Sequence, residues 1–413
     1  MNELHAPRAD AVPQPVRDAL AALRAAGHEA VLVGGCVRDL LLGLPVADFD
    51  AASSAPAELV LELFPRAVPI GLRHGTVMIP TRAGPLDVTR FRAGARLEDD
   101  LAHRDFTVNA IAWDPGDGRL VDPFGGARDL ARGRLAAVGD ARARLAEDPL
   151  RALRAARLVA ALGLELDAGL PAAIAEAREP LRRVARERVR RELEALLVAP
   201  RAEIGLELLR RTGIEAELAP GVADDAAAVV AALPRDLELR LAGWLRGTRA
   251  EAILAALRCG RRRALAVAQI VARHPIDRVP LRGDADLRRL LRRLGCSGVE
   301  ALLALREAEL NAAECAGAAT AAARAALAAL RARIERVERA GSLALGRSDL
   351  ALDGRAVMAL LGVDAGPRVG AALRHLADCV IEDPSCNTPE RLAERLRAWQ
   401  AAEREAARSE PWT

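Results

Sequence analysis

The sequence contains no tyrosine and no lysine. All 60 basic residues are therefore arginine, set against 57 acidic ones, for a net charge of +3. A balance this close excludes binding of a polyanion by bulk charge, so any nucleic-acid surface has to come from local clusters. The arginine excess is a compositional bias and is not itself a functional signal. Aromatic residues make up 2% of the chain, which excludes rows of stacking platforms as the main way of holding RNA. The six cysteines (Cys36, Cys259, Cys296, Cys315, Cys379 and Cys386) are scattered without a C-x-x-C pair. That pattern fits reduced thiols in a cytoplasmic protein and speaks against a zinc site. No run of 18 uncharged apolar residues occurs, and MNELHAPRAD at the N-terminus lacks the apolar core of a signal peptide. The expectation is a cytoplasmic protein with no membrane partner. At 413 residues the chain has room for two to four domains.

What is present concentrates in VLVGGCVRDLLLGLPVADFD, residues 31–50. Val31 to Val33 is a short apolar run fit for a buried strand. Gly34 and Gly35 follow, and then a helical pattern through Val37, Leu40, Leu41 and Leu42. Strand, paired glycines and helix make a phosphate cradle: glycine lets backbone approach the ligand, and the first helical N–H groups are free to bind an anion. Arg38 in that first turn can add a charge-assisted bond to phosphate. Asp48 and Asp50 flank Phe49 on an expected strand from Asp48 to Ala52, so both carboxylates project from one face. Two adjacent carboxylates repel unless a cation lies between them, and an oxygen-rich site of this kind suits Mg²⁺. A glycine pair or a D-x-D alone reads equally well as a turn. The order and spacing of the two together are far more specific.

GGCVRDLLLG followed by DFD resembles the nucleotidyltransferase signature of the class II tRNA CCA-adding and bacterial poly(A) polymerase superfamily, and later motifs carry the resemblance over nearly the whole chain. It implies an α+β fold: a small mixed-sheet nucleotidyltransferase head followed by an all-helical neck, body and tail, divided here at 1–139, 140–220, 221–340 and 341–413. Asp87 in PLDVTRFR, an expected strand from Pro85 to Arg92, matches the family's third acidic position. It would complete the metal site or help deprotonate the attacking hydroxyl. HRDFTVNA resembles R-R-D-F-T-x-N-A, which assigns nucleotide binding to Arg104, Asp105 and Asn109. His103 replaces the first arginine and removes a permanent charge. Val121 to Gly126 resembles the hinge motif behind the head, although Asp122 also reads as a turn residue.

Glu147-Asp148-Pro149-Leu150-Arg151 is expected to open a helix, with Asp148 as cap and Pro149 in the first turn. Spacing of three then keeps Arg151, Arg154 and Arg157 near one face. The resemblance makes E-D-x-x-R the base-reading template, in which Asp148 accepts from an exocyclic amine and Arg151 donates to the ring edge. Arg154 would meet the triphosphate, and Arg157 continues the same nucleotide-binding face. Arg186 to Glu192 resembles the last family motif, which supports the template helix. The run from Arg178 to Arg191 holds seven arginines and could track RNA phosphates. Further basic groups are Arg258, Arg261, Arg262 and Arg263, then Arg288, Arg289, Arg292 and Arg293. Helices fill 200–340, with breaks near Gly213, Pro220, Pro234, Pro275 and Gly295 and an alanine-rich helix from Ala318 to Ala340. Asp349 to Trp399 resembles the family's tail.

The implied activity is metal-dependent transfer of CMP from CTP, and of AMP from ATP, to the 3′ end of tRNA, with Asp48 and Asp50 holding Mg²⁺ in a two-metal site and pyrophosphate leaving. The tRNA acceptor arm is the implied partner. Only Ala93, Gly94, Ala95 and Arg96 join Arg92 to Leu97, and so tight a connection leaves little freedom to act as a lever. The resemblance then points to the CC-adding branch, whose product a separate A-adding enzyme completes. A complete CCA-adding or an A-adding enzyme is the alternative. IGLRHGTVMI resembles the tRNA enzymes more than poly(A) polymerases. Intact Asp48, Asp50 and Asp87 argue against a non-catalytic RNA-binding relative. With six histidines and no His-Asp pair, the metal phosphohydrolase domain that accompanies some relatives is not expected.

Overall fold

A computed structural model describes residues 3–71, 75–92, 96–339 and 349–409. It divides into two compact units, one of Met1–Val222 with Ile253–Cys259, the other of Ala223–Ala252 with Gly260–Thr413.

The first unit opens with α1 (Gln14–Ala25), which buries Val16, Ala19, Leu20 and Leu23 at helical spacing. β1 (Ala30–Val33) is buried at every residue, as a strand near the middle of a sheet must be. α2 (Gly35–Leu41) follows directly, then β2 (Phe49–Ser53), α3 (Ala57–Leu63), β3 (Val68–Gly71), β4 (Thr76–Thr81) and β5 (Gly84–Arg90). α4 (Leu97–Ala102), β6 (Ala112–Trp113), β7 (Leu120–Val121) and α5 (Gly126–Ala131) complete the sheet layer. The strands lie in the order β3-β4-β5-β2-β1-β6-β7. β2 and β5 run parallel, with Asp50 opposite Asp87, and the other pairs are antiparallel. The expected mixed sheet is therefore present. Leu72, Arg73 and His74 of the expected turn between β3 and β4 lie outside the described residues, as do Ala93, Gly94 and Ala95 of the short connection.

A two-stranded ribbon, β8 (Arg134–Leu135) with β9 (Glu165–Leu166), separates the sheet from a helical stack of α6 (Ala141–Glu147), α7 (Arg151–Leu162), α8 (Leu170–Glu176), α9 (Arg186–Leu197), α10 (Ala202–Arg211) and α11 (Ile214–Leu218). α7 buries Ala152, Ala155, Ala156 and Ala160, small side chains that let neighbouring helices come close. A Cβ on Gly205 of α10 would sit 2.6 Å from the Ala156 carbonyl oxygen, so glycine is required there.

The helix expected to begin at Pro149 behind an Asp148 cap starts two residues later. Glu147 ends α6, and α7 starts at Arg151 with Leu150 at its N-cap. A residue before proline is pushed out of the helical region, and Asp148 accordingly has φ −144° and ψ 99°. Asp148 therefore stands in the connection, where its carboxylate accepts the Leu150 N–H at 3.2 Å. Asp122 takes its turn reading: its carboxylate accepts the Gly126 and Ala127 N–H groups at 2.7 and 2.9 Å and caps α5.

The second unit is helical: α12 (Ala226–Ala232), α13 (Leu237–Trp244), α15 (Arg261–Val271), α16 (Asp284–Cys315), α17 (Ala321–Arg339), α18 (Gly354–Leu361), α19 (Pro367–Glu382) and α20 (Pro389–Ser409). α14 (Ala250–Ala256) precedes α15 in the chain. The predicted break at Gly295 is a kink inside α16, where the glycine takes φ 71°. The alanine-rich helix is α17, and Ala340, its expected end, lies outside the described residues.

In the last predicted basic group of this unit Arg288 is buried, whereas Arg289, Arg292 and Arg293 are exposed. Arg288 donates to the Ile381 and Glu382 carbonyls at 2.7 and 3.1 Å, and Arg292 donates to Asp378 at 2.8 Å. Sequence clustering put these cations on one helix, but packing of α19 against it spends Arg288 on the fold. A second buried set joins Arg306, Asp277, Glu309 and His274. Arg306 donates to Asp277 at 2.9 Å and to Glu309, while His274 Nε2 lies 3.0 Å from the same Glu309 carboxylate.

Candidate active site

The β1–α2 turn forms the floor of a cleft of about 660 Å³. Gly34 has φ 79°, a conformation that side chains resist, and a Cβ there would lie 2.7 Å from Arg104 Nη1. Gly35 begins α2. The glycine pair thus provides both the turn and the room for an arginine over it.

Phe49 is buried while Asp48 and Asp50 on either side are exposed, so the alternation expected of D-x-D holds, although Asp48 stands just before β2. Asp87 meets this pair through the β2–β5 register. Although Asp50 is open to the cleft, the protein packed round its carboxyl displaces water and pushes it above its ordinary range; Arg104 pulls it back, and the charges of Asp87 and Asp48 push it further up. Asp87 is raised by burial and by Asp48. A cation would relieve this mutual repulsion, so the donor chemistry fits a hard divalent ion. Among the described residues, no three His, Cys, Asp or Glu side chains close round one point. An ion here would therefore complete its shell with water and substrate oxygens, as Mg²⁺ commonly does.

The cleft wall is a chain of paired polar groups. Arg38 donates to the Asn109 side-chain oxygen at 2.7 Å and pairs with Asp39 at 2.8 Å. Asn109 in turn donates to Asp105 at 3.1 Å, and Asp105 also accepts the Phe106 N–H at 2.8 Å. Arg154 lies 3.0 Å from the other Asp105 oxygen. Burial would raise Asp105, but Arg154, Asn109 and the Phe106 N–H outweigh it and hold the carboxyl below its ordinary range. Arg157 pairs with Glu192 on α9 at 2.7 Å. The Arg186–Glu192 motif thus braces the arginine face of α7, as the sequence suggested.

The two residues assigned to the base are both engaged. Asp148 accepts from Arg188 at 2.8 Å. Arg151 donates to Glu147 at 2.8 Å, to the Arg144 carbonyl at 2.6 Å and to the His103 carbonyl at 3.1 Å. A base reaching them has to exchange with these partners.

Every residue predicted for the site lines this cleft except Asp87, which adjoins it through Asp50. Sequence reasoning missed Asp39, Arg92 and the buried Asp100. Asp39 follows Arg38 directly in the motif. Arg92 and Asp100 flank the short connection after β5, where length was read and side chains were not. A larger groove of about 1050 Å³ lies in the second unit between α13, α15 and α16. It holds none of the predicted catalytic or nucleotide-binding residues, although Arg261 and Arg262 of the second basic group line it.

Residues 30–136 match the family model for the poly(A) polymerase head domain, and 163–225 match the probable RNA- and SrmB-binding site of polymerase A. A CC-adding tRNA nucleotidyltransferase of Shouchella clausii is 44% identical over 204 residues, 49% of this chain and 53% of that one. A CCA-adding enzyme of a Geobacillus species is 42% identical over 203 residues, 46% of this chain and 50% of that one. The sequence matches thus span about half the length of these curated relatives. Structural likeness reaches further. The crystal structure of the Bacillus stearothermophilus CCA-adding enzyme in complex with CTP superposes with a TM-score of 0.73 at 31% identity, covering 95% of this chain and 98% of that one. On a match that covers nearly the whole of both chains at 31% identity, the chain belongs to the CCA-adding enzyme family.

Proposed function

We propose that this chain is a tRNA 3′-end nucleotidyltransferase that adds CMP from CTP, with release of pyrophosphate. The observation that carries the reading is the meeting, in one cleft, of the D-x-D carboxylates, the glycine cradle and an arginine-lined wall holding Asp148 and Arg151. The solved relative with CTP supports a nucleoside triphosphate as the ligand of such a cleft.

In this reading the Gly34–Gly35 turn and the N–H groups of α2 receive the triphosphate, with Arg38, Arg104 and Arg154 around it. Asp48 and Asp50 would hold Mg²⁺, which when bound supplies Lewis-acid stabilisation of the phosphoryl oxygens. Asp87 assists the pair and takes up the proton of the attacking 3′ hydroxyl. That hydroxyl attacks the α-phosphate, and the bond to the β-phosphate oxygen breaks. Asp148 and Arg151 face the base once Arg188 and Glu147 give way. Their acceptor and donor match the amine and ring edge of cytosine.

For the subtype, the short 93–96 connection and the CC-adding relative support addition of two C residues, with the terminal A left to a partner enzyme. Full CCA addition is the competing reading, favoured by the other curated relative. Incubating a tRNA that lacks its CCA end with CTP and ATP together, then sequencing the product, decides between them. A product ending in CC is expected, and efficient formation of CCA refutes the subtype. No extension with either nucleotide refutes the activity. Chelation with EDTA is expected to stop extension, and excess Mg²⁺ to restore it.

A further inference from the structure

Asp100 is a buried carboxylate that the mechanism above leaves unused. It is 2% exposed, while Glu98 and Asp99, its neighbours in the acidic first turn of α4, lie nearer solvent. Burying a charge is costly unless it is paired, and both its partners are arginines of the cleft lining. Its Oδ2 accepts from Arg104 Nη2 at 3.3 Å. Its Oδ1 accepts the backbone N–H of Arg92 at 3.3 Å, with Arg92 Nε 3.9 Å away. Arg104 is held on that edge alone, because its Nε is buried with no hydrogen-bond partner. Its free edge, Nη1, passes over Gly34. Arg104 is also the cation that most offsets the charge of Asp50. Without the pull of Asp100, Asp50 remains as a carboxylate whose charge attracts this guanidinium. A collapse onto Asp50 would take Arg104 off the cradle.

We propose that Asp100 is a positioning residue that aims Arg104 across the Gly34 turn at the incoming triphosphate and fixes the end of β5 through the Arg92 amide. The inference rests on the nucleotide-binding reading of the cleft. One buried anion then sets two of the cleft's arginines, and it stands beyond the reach of the nucleotide.

The test compares the full-length parent, Asp100→Asn, Arg104→Gln and the double variant. Asparagine keeps an oxygen to accept the Arg92 N–H but removes the charge that holds Arg104. Calorimetric titration with CTP in Mg²⁺ buffer is expected to show binding weakened roughly tenfold in Asp100→Asn, the scale of one charge-assisted bond. The KM for CTP should rise in step, the KM for tRNA should stay, and the double variant should bind no worse than Arg104→Gln alone. CTP binding within twofold of the parent in Asp100→Asn, or additive losses in the double variant, overturns this inference while leaving the proposed function intact. A thermal midpoint that falls with CTP affinity unchanged marks Asp100 as part of the fold only and likewise overturns it. If the parent itself binds no CTP, the function reading fails and takes the inference with it.

Discussion

Arginine does opposite work in the two units. In the cleft, Arg38, Arg104, Arg151, Arg154, Arg157 and Arg188 each have an acidic or amide partner yet line open space. In the helical unit, Arg246, Arg288 and Arg306 are all but fully buried and have no cleft to serve. Arg288 closes two main-chain carbonyls of α19, and Arg306 neutralises Asp277 and Glu309. A guanidinium carries its charge at any working pH and has five donors. It can therefore hold a site open for an anion or staple helices together. The partner's exchangeability sets the outcome: carboxylates facing a cleft can be traded for phosphate or base, whereas buried ones cannot.

The comparison breaks most sharply on the carboxylates the cleft arginines surround. Asp50→Ala is expected to reduce CMP addition by at least about a thousandfold, because the charge stabilisation at the phosphoryl centre is the largest single term in such chemistry. Its thermal midpoint should stay level or rise, since the change removes a carboxyl raised by burial and by its acidic neighbours. A single-turnover assay beside a melting curve checks both. Turnover at the parent rate would remove Asp50 from the metal site. Arg306→Met is the mirror image. It leaves the buried Asp277 carboxylate without its cation, while Glu309 keeps His274 and Arg246, so unfolding in urea should show a loss of roughly 3–5 kcal/mol. CTP affinity, measured well below the new transition, should stay unchanged.

That contrast also marks how far the sequence could be read. The head was legible because its signals are local. Paired glycines after an apolar run can serve few purposes, and the alternation around Phe49 fixes which way Asp48 and Asp50 face. The meeting of Asp50 with Asp87 was less so. It depends on two strands whose partners stand 37 positions apart pairing in parallel, and only the resemblance pointed to it. The start of α7 falls two residues past Pro149 because the chain enters it through a turn, with the Arg151 N–H on the Asp148 carbonyl at 3.0 Å, and a capping signal does not distinguish such a turn from the first turn of the helix. Within the Arg288 group, the sequence does not say which arginine a neighbouring helix will cover, and only Arg288 is buried. Asp100 went unnoticed for a related reason: three acidic residues in a row look like a solvated first turn, and only packing shows which one is inside.

A finer probe of the cleft is Arg151. Its three present partners are Glu147 and two carbonyls, all acceptors. A cytosine ring edge offers acceptors as well, so the exchange conserves bond types and stays shallow. Arg151→Ala is expected to relax discrimination against UTP and GTP by about tenfold, the scale of one base-edge contact, with a smaller change in triphosphate affinity. Competition assays with mixed nucleotides measure it, and an unchanged nucleotide preference removes Arg151 from base reading.

The smallest effect separates the two kinds of site by pH. Burial would raise the Glu309 carboxyl, but bonds from His274 and Arg306 outweigh it and bring it down to about 2 from an ordinary 4.5. A carboxyl depressed in the folded state is charged more readily there than in the unfolded chain. Its stabilisation is therefore complete above the unfolded value and is lost as pH falls through the folded one. Glu309→Gln should accordingly be less stable than the parent at neutral pH, with a gap that holds down to about pH 4.5 and closes toward pH 2. Denaturant midpoints of the two proteins across that range measure the gap. A gap that stays constant to pH 2 would mean that Glu309 acts through packing and not through charge. CTP affinity at neutral pH should be the same in both, since this carboxylate stands outside the cleft.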